Sequence, residues 1–167
     1  MADDTTARLA LPLLQSGQAQ KEMTHNEALA RLDLAVQPRV ATIGLNDPPA
    51  SPAAGDCWIV GAAPTGDWSG MAGALAGWTD DGWRFVAALD GMVIWVADQA
   101  VPARYLAGAW VIGDLAGAQV SIGGVKVLGA QAAAIAEPSG GTVVDAEGRA
   151  TIGQILAALR GHGLIGT

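Results

Sequence analysis

One cysteine, two histidines, one phenylalanine and one tyrosine in 167 residues remove several classes of chemistry at the outset. Cys57 alone cannot close an intrachain disulfide, and with His25 and His162 as the only histidines there is no Cys/His spacing for structural zinc. Charge is scarce as well. Only 15% of residues are charged, and nine bases against sixteen acids give a formal charge of −7. A sequence pI near 4.5 repels a polyanion, so no nucleic-acid partner is expected. No apolar run reaches the roughly 18–20 residues of a membrane-spanning helix; GMVIWVA at 91–97 is strand-length, and no membrane insertion is expected. MADDTTAR at the start has no basic stretch followed by an apolar one, which predicts no secretory signal and synthesis in the cytoplasm.

Apolar residues are plentiful, at 51%, with 23 glycines and a mean hydropathy of +0.33. A chain of this length buries a core without metal or disulfide help. A surface so poor in charge relies on neighbours to cover it, as in a subunit of an assembly.

The pattern along the chain predicts an α+β fold: an N-terminal arm and helix, a small antiparallel β domain with hairpins, and a C-terminal β element with an amphipathic helix. Residues 1–23 read as an extended arm whose apolar patch includes Leu9, Leu11 and Leu13. Thr24 and Glu27 form a Thr-x-x-Glu capping box that predicts a helix from about Thr24 to Val36, stopped by Pro38. Its stripe is Leu29, Leu32, Asp33 and Val36, at i, i+3, i+4 and i+7. Residues 24–116 are assigned to the helix and β domain together. From Asp56 to Gly113, short aromatic and β-branched segments alternate with Gly-containing turns; Asp81-Gly82 and Asp90-Gly91 are the clearest hairpin signals.

An internal echo lies here. Trp78 and Trp83 flank a Gly-containing turn, and Tyr105 and Trp110 repeat the spacing 27 residues later; each pair is expected to meet across a hairpin. Residues 117–167 read as an assembly element: a hairpin turning at Gly123-Gly124, then a helix with Asp145 as N-cap and Glu147 in its first turn. Ile152, Ile155, Leu156 and Leu159 make its stripe, and Gly161 ends it.

Catalytic patterns are weak. His25 suits a first-turn hydrogen bond better than a triad. Glu22 with Glu27, or Asp56 with Asp67, could be named as glycosidase carboxylates, but any chain with sixteen acids offers such pairs. Asp80-Asp81-Gly82 lacks the remaining ligands of a calcium loop. The six tryptophans are the remaining signal, all between Trp58 and Trp110. Most are expected to fill a small core. Trp68 sits in the turn-like TGDWSG and is expected to be exposed; with Trp78 and Tyr105 it forms the candidate glycan contact.

The run from Leu11 to Gln37 contains LPLL, then GQAQKEMTHNEALARLD, then VQ. It resembles the opening signature of a phage-derived domain family without an assigned activity, found in prophage tail-fibre proteins and gene transfer agent head spikes. Gly124 to Ile165 resembles the C-terminal ends of phage fibre proteins in that family. The resemblance implies a virion or gene-transfer-particle component at the particle surface, made in the bacterial cytoplasm, non-catalytic and without cofactor. It is most like a head spike base, which attaches a receptor-binding spike fibre to a capsid or tail protein. A capsid vertex implies a homopentamer; a tail location implies a trimer. The alternative is a carbohydrate-binding module that contacts host capsular polysaccharide through exposed Trp.

Overall fold

The computed structural model describes residues 5–15, 17 and 21–167. They form two helices and ten strands, an α+β fold in two units that divide between Asp114 and Leu115. Helix α1 spans Lys21–Ala35. Thr24 is its fourth residue and lies inside it, so the expected capping box does not open this helix. Glu27 instead binds Arg31 at 2.7 Å and Arg84 at 2.6 Å. The buried stripe also differs: Asp33 and Leu34 face inward, whereas Leu32 and Val36 are exposed. Gln37 takes a left-handed conformation, φ 46°, and ends the helix immediately before Pro38.

Within the segment expected as an extended arm, residues 5–12 form a closed turn. Thr5 bridges Pro12, and Thr6 N–H donates to the Leu11 carbonyl at 2.9 Å. Residues 1–4, 16 and 18–20 of that stretch lie outside the described set.

After α1, β1 (Arg39–Val40) and β2 (Ile43–Leu45) enter two different four-stranded sheets. In one sheet β2 lies parallel to β3 (Cys57–Val60), which continues antiparallel to β4 (Leu75–Thr79) and β5 (Gly82–Val86). In the other, β1 lies parallel to β6 (Val93–Val96), followed antiparallel by β7 (Val101–Leu106) and β8 (Ala109–Ile112). Each sheet is thus a short parallel strand plus a three-stranded meander, and the sequence echo occupies equivalent places in both. Trp78 pairs with Trp83 across β4–β5, rings 5.0 Å apart, and Tyr105 with Trp110 across β7–β8, rings 5.2 Å apart. The Asp81-Gly82 hairpin forms as expected. Asp90-Gly91 does not make a hairpin: it leads from β5 in one sheet to β6 in the other, so its Asp-Gly marks a reversal without strand pairing.

Strand β3 is buried along its whole length. Successive side chains point to opposite faces, so Cys57 and Ile59 join a core with Leu34, Val40, Leu75, Ile94 and Val96, while Trp58 and Val60 join a second core with Trp68 and Ala76. Helix α1 approaches the first face at Gly77, where a Cβ would fall against the Leu34 methyls.

In the second unit, β9 (Val120–Ile122) and β10 (Val125–Leu128) form a two-stranded ribbon. Its turn is Gly123-Gly124, with φ 56° and 81°, values that suit a two-residue hairpin and that glycine adopts without strain. Helix α2 spans Ala146–Gly161, and the Asp145 carboxylate accepts the Gly148 N–H at 2.8 Å as N-cap. The chain leaves the helix through His162 and the left-handed Gly163. Ile165 bridges back to Ala132. Leu156 and Ile165 are the buried apolar residues among the described residues of this unit.

Candidate functional site

The cleft that the N-terminal turn, α1 and the β4–β5 hairpin enclose has a volume of about 680 Å3. Its walls carry five carboxylates, Glu22, Glu27, Asp33, Asp80 and Asp81, against one guanidinium, Arg84. Most of this polarity is already engaged. Asp33, 3% exposed, accepts from Thr6 Oγ1 at 2.7 Å, the Leu9 N–H at 2.6 Å and the Arg8 N–H at 3.0 Å. Arg8 then caps the C-terminal end of α1, donating to the carbonyls of Asp33, of Leu34 at 3.3 Å and of Gln37 at 2.9 Å, where a cation also suits the helix dipole. Asn26 holds both the N–H and the carbonyl of Leu14, at 2.9 and 3.0 Å.

Burial pushes the Glu27 carboxyl up, but hydrogen bonds and charge from Arg31 and Arg84 outweigh that and hold it below the usual carboxylate range. Glu22 differs: its Oε2 is enclosed without a hydrogen-bond partner. His25 Nδ1 lies 2.8 Å from the Lys21 carbonyl, the local helix role expected of it. The polar side chains of the N-terminal signature therefore chiefly fasten the first turn, α1 and the hairpin to one another. Sequence reasoning missed this lock. An aspartate on an otherwise apolar stripe was its only visible signal.

The candidate glycan contacts do not converge. Trp68 is fully buried, which overturns the expectation that it is exposed. Its loop folds back over the sheet: the Thr65 N–H donates to the Asn46 carbonyl at 2.9 Å and the Gly73 N–H to the Val60 carbonyl at 3.0 Å. Trp68 is thereby set between Trp58 and Trp83, with ring centroids 6.2 and 5.1 Å away. Trp78 is half-buried at the end of this stack, and Tyr105 is half-buried on the other sheet. Cys57 is buried too, and desolvation pushes its thiol up to about 11.

The family model described as "Protein of unknown function (DUF2793)" matches residues 25–111. The chain belongs to the DUF2793 family. No curated protein and no solved structure matches it. The matched DUF2793 span begins within α1 and ends within β8, so it covers most of the first unit and stops short of the second.

The candidate assembly residues fall on both sides of the DUF2793 span. Leu9 is partly exposed, and Leu11 and Leu13 are half-buried in the N-terminal segment. On α2, Ile152 and Ile155 are exposed, Leu159 is half-buried and Leu156 is buried. The second unit also exposes Val143 and Val144 and the whole of β9 and β10. No helix among the described residues is long and apolar enough to cross a membrane.

Proposed function

We propose that this DUF2793 chain is a structural component of a phage-like particle, a gene transfer agent head spike base or part of a tail fibre, attaching a receptor-binding fibre to a capsid or tail protein. The observation that carries the reading is the contrast between the two units. The first has two cores and a signature whose polar side chains chiefly bond within the unit; the second buries two apolar side chains among its described residues and exposes many more. Apolar surface of that kind is stable in water when a neighbour covers it. The resemblance of 11–37 and 124–165 to fibre and spike proteins supplies the particle.

Self-assembly accompanies attachment in this reading: a homopentamer at a five-fold vertex, or a homotrimer on a tail. Direct contact with host polysaccharide falls to Trp78 and Tyr105, because Trp68 is enclosed. The test is sedimentation of particles from cells that encode the chain. The full chain should travel with the particles, and a chain lacking Asp145 to Thr167 should stay in the soluble fraction. Equal recovery of both with particles would remove the attachment role of α2.

A further inference from the structure

In the ribbon, Val125 lies opposite Ile122, Lys126 opposite Ser121 and Leu128 opposite Val120. Opposed residues of an antiparallel pair share a face, and successive residues of a strand change face. Val120, Ile122, Val125 and Leu128 therefore form one face, and Ser121 with Lys126 the other; an irregularity between Lys126 and Leu128 takes Val127 out of the alternation. The ribbon is amphipathic, yet its apolar face is uncovered. Those four residues are 49–68% exposed. A two-stranded ribbon is marginal in water until something packs on such a face.

We infer that the cover is a second copy of this chain, the ribbons of neighbouring copies turning their apolar faces towards a common symmetry axis. Charge selects this occupant. Residues 115–167 hold three acids, Glu137, Asp145 and Glu147, and three bases, Lys126, Arg149 and Arg160, so the whole formal charge of −7 lies in the first unit. Contact between copies through the first unit sets like charges together, whereas contact through the second does not. The apolar face is also complementary to itself. Its four residues carry no charge, and Lys126 lies on the reverse face, so a symmetric contact creates no like-charge pair. This inference deepens the proposed function by naming the surface of self-contact, and it rests on that reading only for self-assembly.

Light scattering on the full chain, beside a double variant Ile122→Lys and Val125→Lys, tests it. The wild type should be an oligomer and the variant a monomer. The near-ultraviolet signal of the six tryptophans, all in the first unit, should be unchanged, which shows that the first unit is still folded. A second variant, Ile122→Cys, should form covalent dimers with a short bis-maleimide, since Cys57 is buried and protonated. A monomeric wild type would overturn the inference, as would a double variant of unchanged mass together with no cross-linking at position 122. If the ribbon self-associates but the chain is missing from particles, the inference stands and the particle reading falls. If the double variant keeps its oligomer, position 122 does not cross-link and the chain still enters particles, the particle reading stands and the inference falls.

Discussion

Replacing Asp33 by Asn probes the lock between the N-terminal turn and α1 with almost no change of volume. The carboxylate takes two donors on Oδ1, Thr6 Oγ1 and the Leu9 N–H, and one on Oδ2, the Arg8 N–H. An amide turned either way points its NH2 at one of those N–H groups, so at least one hydrogen bond to a buried charge is lost. Such bonds contribute about 1.5–3 kcal/mol, and for a chain of this size that lowers Tm by roughly 3–12 °C. Asp33→Ala removes all three and should cost more. Urea unfolding followed by tryptophan fluorescence measures both, with the slope unchanged if only stability has moved. The Arg8 guanidinium binds main-chain carbonyls, so Arg8→Met provides a comparison that leaves the carboxylate in place. If Asp33→Asn and Asp33→Ala both unfold at the wild-type midpoint, the lock does not stabilise the fold and the account of the signature fails.

Gly77→Ala places a methyl against the Leu34 side chain and should destabilise by about 1–3 kcal/mol as overpacking, read by the same unfolding curve. Trp68→Ala empties a fully buried site and should cost about 3–5 kcal/mol; an unchanged midpoint would return Trp68 to the surface. Glu27 has a depressed folded pKa, so its contribution is full above the ordinary value of 4.5 and is lost as pH falls through the folded value. Wild-type stability should therefore fall more steeply than that of Glu27→Gln below about pH 4.5, and parallel acid-unfolding curves would remove that role.

Patterns that depend on one element were legible in the sequence. Asp145 as N-cap, the Gly123-Gly124 turn and the two aromatic pairs each follow from residues a few positions apart. What depends on distant partners was not. Thr24 and Glu27 have capping-box spacing, yet Arg84, 57 residues beyond Glu27, recruits the carboxylate to the hairpin. Leu34 lies off the predicted stripe, but a glycine on β4 makes the cavity that receives it. The β6–β7 reversal lacks the Gly-containing turn expected between strands, because its left-handed residue is Ala100, φ 54°, where a glycine or asparagine is the usual marker. Trp68 looked exposed because its flanking residues are turn formers, and only the hydrogen bonds from its loop to Asn46 and Val60 show that the turn closes inward. The candidate cleft, too, is assembled from three separated segments, and no single one of them marks it.

Immunogold labelling tests the central claim most directly, with antibody against the first unit applied to intact particles released by cells that encode the chain. The account predicts gold on the particle surface, at capsid vertices for a spike base or along the tail for a fibre part, with none on particles from cells lacking the gene. Unlabelled particles, with the chain recovered entirely in the soluble fraction, would contradict it.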